Sequence, residues 1–122
     1  MTSAIENYTI QEISKKTATL MNEQPGPIKE LGITYQFTII DEDYAFQMHF
    51  DHGVVTVHEE LSYEPACTLF LSGKSFKKLL IGQLNGTAAY MMGKLKVNGS
   101  LVHAIKMEGL LRQYELGRYF EK

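Results

Sequence analysis

The sequence has little cysteine, no tryptophan and no long run of apolar residues. Its single cysteine, Cys67, excludes an intrachain disulfide and favours a reducing compartment such as the cytoplasm. No stretch approaches the ~20 apolar residues that a membrane-spanning helix needs. The N-terminus, residues 1–8, lacks the basic flank and apolar core of a secretory signal peptide. We therefore expect a cytoplasmic protein whose stability comes from an ordinary apolar core.

The residue patterns of common catalytic and cofactor sites are also missing. There is no Walker A sequence and no Gly-rich dinucleotide fingerprint. The acidic cluster of residues 41–43 falls at a hairpin tip, where carboxylates stay hydrated and act as turn formers. The lysines at 74–78 lack interleaved aromatics on a sheet platform, so we expect no nucleic-acid partner. These absences predict a protein that is not an enzyme and needs no cofactor.

The histidines do not have the spacing of a metal site, and one cysteine cannot complete a zinc site. We expect them to be solvated polar side chains on the outer face of a sheet or in turns. They are His49, His52, His58 and His103.

What is present is the composition of one folded domain. The chain has 122 residues, of which 44% are apolar and 21% charged, as in ordinary globular proteins. Charge is unevenly distributed: residues 1–65 carry 3 lysines and 11 acidic residues, whereas residues 66–122 carry 9 basic residues and 3 glutamates. Two solvated surfaces would explain this split, and so would contact between the basic half and an anionic membrane surface.

The first half predicts one helix and three strands. Thr9 and Glu12 have the spacing of a capping box, and Pro25-Gly26-Pro27 should end the helix that follows. Residues 33–39, 44–50 and 55–58 then alternate apolar and polar side chains, as half-buried antiparallel strands do.

Turn lengths predict the pairing of these strands. A two-residue loop at Glu42-Asp43 would place Ile39 opposite Phe46, Phe37 opposite Met48 and Tyr35 opposite Phe50. A two-residue turn at His52-Gly53 would place Phe50 opposite Val55 and Met48 opposite Val57. Both hairpins then have one apolar face, which helices must cover.

The second half predicts two more strands among helices. Cys67, Leu69 and Leu71 mark a fourth strand, and Ser72 is placed to cap the helix after it. A short apolar segment, residues 88–92, precedes a fifth strand at 95–97, and a last helix is expected from Leu101 to Tyr114.

Two segments of this half resemble the sterol carrier protein type 2 family. Residues 67–85, CTLFLSGKSFKKLLIGQLN, resemble its fourth strand and following helix, and residues 89–99, AYMMGKLKVNG, resemble its Gly-Lys-Leu-Lys-Val segment. The similarity extends in order over roughly residues 5–114. One departure is Gly73-Lys74-Ser75, where the family often has acidic residues.

The resemblance implies an α+β fold: a five-stranded, mainly antiparallel twisted sheet with helices on one face. It also implies an apolar tunnel for a fatty acid, acyl-CoA, phospholipid or sterol-like molecule, and no catalytic residues. Members act as carriers or as accessory domains of enzymes. We expect the tunnel to be lined by apolar residues of the sheet and helices: Phe37, Phe46, Met48, Phe50, Phe76, Leu80, Leu84, Met91, Met92, Leu95, Leu101, Ile105 and Leu110.

The last helix leaves an alternative open. Its apolar residues cover more than one narrow stripe of the helix surface, so we expect the helix to contact two different apolar surfaces. One would be the sheet, and the other a ligand, a second copy in a homodimer, or a partner protein. The alternative function is therefore an interaction module or accessory subunit of a lipid-metabolising enzyme.

Overall fold

The computed structural model describes residues 4–121 of the chain. Single 3₁₀ turns at Ala4–Asn7 and Gly26–Ile28 flank the first helix. The elements, in chain order, are α1 (Ile10–Glu23), β1 (Gly32–Ile39), β2 (Tyr44–Asp51), β3 (Val54–His58), β4 (Cys67–Leu71), α2 (Gly73–Leu80), α3 (Gly86–Met91), β5 (Lys96–Gly99), α4 (Leu101–Gln113) and α5 (Leu116–Phe120).

The five strands form one mixed sheet in the order β3-β2-β1-β4-β5. Within residues 4–121, β1 pairs with β4 in parallel, and the other three strand pairs are antiparallel. The α+β fold and the five-stranded, mainly antiparallel sheet are thus confirmed. Helices pack on the apolar face: the Phe76 ring of α2 meets Phe37 and Phe46 edge-on, at centroid distances of 5.5 and 5.8 Å.

The first hairpin differs from the predicted register by two residues. Phe37 lies opposite Phe46, and Ile39 opposite Tyr44, so the loop spans the four residues 40–43. A shift of two preserves which side chains face the core, so alternation alone does not distinguish the two registers. The longer loop is held from outside the hairpin: the Ile40 amide donates to the Leu71 carbonyl, and the Gly73 amide donates to Asp41 Oδ1.

The second hairpin has the predicted register, with Phe50 opposite Val55 and Met48 opposite Val57. Its two turn residues, His52 and Gly53, have φ values of 45° and 93°, the left-handed pair of a type I′ turn. Glycine adopts this conformation without a Cβ penalty, which is why the sequence signal was sufficient here.

Helix starts follow the cap residues. Thr9 Oγ1 accepts the Glu12 amide while the Glu12 carboxylate accepts the Thr9 amide, which confirms the capping box. Ser72 caps α2 as predicted, through a bond from the Ser75 amide to its Oγ. The last helix ends at Gln113, close to the predicted Tyr114. The sequence interpretation did not anticipate α5, which turns back through Glu115 at φ 48° and buries Phe120.

The outer face of the sheet is partly covered by the connection from β3 to β4, residues 59–66. Gln47 is fully buried there, where it donates to the Tyr63 carbonyl and accepts the Tyr63 amide. The Tyr63 ring stacks on His49 at 3.9 Å. The expectation that the strand histidines are simply solvated was therefore wrong for His49, which is half-buried under this connection.

Candidate functional site

An apolar cavity lies between the sheet and the helices of the second half. Its volume is about 80 Å³. Its walls come from β4, α2, α3, α4 and the residue before β5, and they are apolar except for Thr87, Glu108 and the Tyr90 hydroxyl. The lining residues are Leu69, Leu79, Gly86, Thr87, Tyr90, Leu95, Leu101, Ala104, Ile105, Met107 and Glu108.

Glu108 of α4 joins the two helices at this cavity. Its Oε2 accepts the Gly86 amide at the start of α3 at 2.9 Å, and Arg112 Nη2 at 3.0 Å. A Cβ on residue 86 would lie 2.7 Å from Glu108 Oε1, so glycine permits this close approach. The carboxylate thus satisfies an orphan donor at the first turn of α3.

Helix α3 is otherwise lightly held. Only Gly86 and Ala89 of its six residues are buried. Tyr90 and Met91 are exposed, Met91 to 80%. Few buried contacts and one bond to a carboxylate make α3 the wall of the cavity that is easiest to displace.

Helix α4 is fixed to the sheet more firmly. The Tyr35 hydroxyl of β1 donates to the His103 carbonyl of α4 at 2.9 Å. Burial raises the pKa of Tyr35 to about 12, so the hydroxyl remains a donor at neutral pH. Burial also raises the pKa of the Cys67 thiol, so this cysteine is a packing residue and not an activated nucleophile.

The predicted lining residues fall into three groups. Leu95, Leu101 and Ile105 line the cavity. Leu84 is half-buried, and Met91 and Met92 are exposed beside Tyr90. The remaining predicted residues are buried in the core and do not line this cavity: Phe37, Phe46, Met48, Phe50, Phe76, Leu80 and Leu110.

Other lining residues were missed by the sequence interpretation. Part of the signal was available, because the cavity side of α4 has one helical stripe at spacings of three and four, but the sequence interpretation did not consider its polar member, Glu108. That stripe is Leu101, Ala104, Ile105 and Glu108. No local pattern indicated Leu69, Gly86, Thr87 or Tyr90, which come together only through the packing of α3 on α4.

Residues 4–121 lack two further features, a metal-binding cluster and a helix able to span a membrane. That part of the chain contains no group of three His, Cys, Asp or Glu side chains placed to hold a metal ion. None of its helices combines the length and the apolar character that are required to cross a bilayer.

Comparison with known proteins identifies the family. The model of the SCP-2 sterol transfer family matches residues 13–112, which include the whole sheet and the cavity. The chain belongs to the SCP-2 sterol transfer family. The resemblance inferred from residues 67–99 is thus confirmed.

Curated relatives are longer proteins. Human sterol carrier protein 2 (Homo sapiens) is 26% identical over 111 residues, covering 88% of this chain and 20% of its own length. Mouse hydroxysteroid dehydrogenase-like protein 2 (Mus musculus) is 34% identical over 89 residues, covering 70% of this chain and 18% of its own length. The chain therefore spans about a fifth of the length of these relatives.

Solved structures share the fold. The solution structure of sterol carrier protein 2 from Aedes aegypti, in complex with palmitate, superposes with a TM-score of 0.62 at 15% identity. The match covers 80% of this chain and 88% of the mosquito protein. At this identity the likeness establishes the fold, and the palmitate belongs to the mosquito protein.

Proposed function

We propose that this chain is a non-catalytic lipid carrier that holds the acyl chain of a fatty acid or related lipid in the cavity between the sheet, α3 and α4. The observation that carries the proposal is the cavity itself, whose walls are almost entirely apolar in a chain of the SCP-2 family. The palmitate complex of the mosquito relative supports an acyl chain as the ligand class.

The energy of such binding comes from burial of methylenes. Each buried CH₂ contributes about 0.8 kcal/mol, so about twelve contribute ~10 kcal/mol before the cost of association. After an association cost of at least about 4 kcal/mol, about 6 kcal/mol remains, which corresponds to a Kd of tens of micromolar without a charged anchor. An apolar lining that includes Met107 accepts chains of different shape, because methionine is flexible and polarisable.

A full acyl chain needs more room than the cavity offers. At about 80 Å³ the cavity is smaller than the ~150 Å³ space that accepts benzene in an engineered protein core. The ligand must therefore displace a wall. Because α3 buries only Gly86 and Ala89, we propose that α3 moves outward and extends the cavity into a tunnel among the other predicted lining residues.

The proposal is tested by native mass spectrometry of the freshly purified chain, by solvent extraction of any bound molecule, and by adding palmitate to the chain. We expect either bound masses that are lost on denaturation and extract as lipid, or stoichiometric uptake of the added palmitate. A clean apo mass with no uptake of palmitate, acyl-CoA or phospholipid would overturn the carrier proposal.

The second candidate is an accessory module of a lipid-metabolising enzyme. Leu101, Val102 and Ile105 of α4 are exposed and could contact another protein. The length of the mouse relative, a hydroxysteroid dehydrogenase-like protein, is consistent with this role. Loss of a partner enzyme's activity on a variant of α4, with palmitate uptake intact, would favour it.

Two parts of the proposal concern the surroundings of the protein. We propose a reducing compartment such as the cytoplasm, where the buried thiol of Cys67 remains unmodified. We also propose that the carrier contacts membranes through its basic C-terminal half, and that it has no nucleic-acid partner. The alternative to membrane contact is a homodimer in which the exposed residues of α4 form the interface.

A further inference from the structure

The largest group of exposed apolar side chains lies at the edge of the cavity. Tyr90, Leu101 and Ile105 line the cavity and are also exposed, so they form its rim. Met91, Met92 and Val102 adjoin them in sequence, and Met91 and Val102 are 80% and 60% exposed. We call these six residues the apolar crest. A contiguous apolar surface of this kind marks an interaction site.

The exposed charges next to the apolar crest are lysines. Residues 65–107 contain six lysines and no aspartate or glutamate, and the Glu108 carboxylate at the cavity is paired with Arg112. Lys94 lies two residues after Met92, and Lys106 follows Ile105; both lysines are exposed. Because Val102 and Lys106 are four residues apart on α4, they lie side by side.

We propose that the apolar crest, Lys94 and Lys106 form a docking surface for a bilayer that carries anionic headgroups. Apolar side chains with lysines around them are the pattern of proteins that lie in the headgroup region. The inference rests on the proposed carrier function, because it places the cavity rim against the membrane and lets an acyl chain pass without crossing water.

Charge argues against a second copy as the occupant. A symmetric dimer would bring the same patch together on both subunits, with lysines facing lysines. Like charges at such an interface repel, whereas an anionic lipid surface attracts each lysine. The membrane is therefore the occupant that the surface fits.

The test measures co-sedimentation of the chain with vesicles of phosphatidylcholine alone and with vesicles containing about one-third phosphatidylglycerol. Binding is expected only to the anionic vesicles. It should fall on raising salt from about 0.1 to about 1 M, because the Debye length drops from about 10 to about 3 Å. Equal binding to both vesicles, or none to either, would overturn the proposal.

Two pairs of variants separate the apolar part from the charged part. The variant with Lys94→Glu and Lys106→Glu should lose at least about fivefold in binding, while the control with Lys15→Glu and Lys16→Glu on α1 should not. The variant with Met91→Gln and Val102→Gln keeps the charge and should also lose binding. Its matched control carries Ile40→Gln and Val54→Gln, residues that are 63% and 54% exposed elsewhere. Equal loss in variant and control would contradict a specific surface.

A second readout separates this inference from the carrier proposal. Uptake of monomeric palmitate without vesicles depends on the cavity and its extension, and it should persist in the Lys94→Glu, Lys106→Glu variant. Vesicle binding without palmitate uptake would support the docking surface and overturn the proposal that the chain is a lipid carrier. The chain could instead form a concentration-dependent dimer that the variant with Met91→Gln and Val102→Gln abolishes. That result would assign the apolar crest to a dimer interface and overturn the proposal of membrane docking.

Discussion

The two halves of the molecule place their apolar residues differently. In residues 4–58 the large apolar side chains are buried or half-buried, except Ile40 in the first hairpin loop and Val54 at the start of β3, which lie apart from each other. In residues 84–106 six large apolar side chains are exposed together on α3 and α4, beside a cavity. The first half is acidic and the second basic.

This difference indicates that the first region stabilises the fold and that the second binds a ligand. The hairpins and α1 form a closely packed framework, in which Phe37 stacks on Phe46 at 5.2 Å. The α3–α4 region is less closely packed, and it contains a cavity with an exposed apolar rim. Regions that bind ligands are often drawn from the less stable part of a fold. The four predictions below test how far this contrast holds.

The largest effect is expected for Phe37→Ala in the framework. Phe37 is buried between Phe46 and Phe76, so truncation removes apolar burial and leaves a cavity. We expect a loss of about 3–5 kcal/mol in the free energy of unfolding, measured by urea denaturation. Met91→Ala is the control in the other half and should change stability by less than about 0.5 kcal/mol. Similar losses in both would remove the contrast.

The next effect is expected for Glu108→Ala, which frees the start of α3. The carboxylate is 15% exposed and accepts the Gly86 amide, a charge-assisted bond. Its removal should lower the opening free energy of α3 by about 1.5–3 kcal/mol, measured by hydrogen exchange of the Gly86 amide. Arg112→Ala removes only an exposed i,i+4 ion pair and should cost less than about 1 kcal/mol. Unchanged exchange at Gly86 in Glu108→Ala would show that α3 is held by something else.

A smaller effect, confined to binding, is expected for Ala104→Leu. Added methyl groups would occupy the cavity and exclude about two methylenes of the ligand, which weakens palmitate binding about tenfold. Ala88→Leu adds the same atoms on the exposed side of α3 and should leave binding unchanged. Titration of both variants with palmitate checks the difference. Wild-type affinity in Ala104→Leu would place the ligand elsewhere.

The smallest effect is expected for Tyr35→Phe, which removes the hydroxyl that joins β1 to α4. Loss of its bond to the His103 carbonyl should cost about 1 kcal/mol at neutral pH.

The same variant should change the alkaline pH dependence. The folded pKa of Tyr35 is raised to about 12 from an ordinary value of 10. The neutral hydroxyl therefore contributes stability that is present below pH 10 and is lost as pH rises towards 12. Tyr35→Phe should lessen this loss, measured as Tm against pH. An identical alkaline profile in Tyr35→Phe would contradict the sign.

Much of the framework could be predicted from the sequence because its signals are local. Alternation assigned the strand faces, the Thr9–Glu12 spacing located the start of α1, and Gly53 set the register of the second hairpin. The first hairpin was wrong by two residues, because face alternation has a period of two and its turn carries no glycine. Contacts from Leu71 and Gly73 fix that register, and no pattern within the hairpin contains them.

The candidate site was less predictable for the same reason. The sequence by itself determined the family, the strand faces, the helix caps and the separation of charge, since each depends on neighbouring residues or on composition. Only the tertiary structure decided that Met91 and Met92 are exposed, that Glu108 holds α3, and that the cavity lies on one side of α4. An apolar residue satisfies the same pattern in a packed core, in a cavity wall or on an exposed rim. The choice depends on which elements pack against it, and that is a property of the assembled chain.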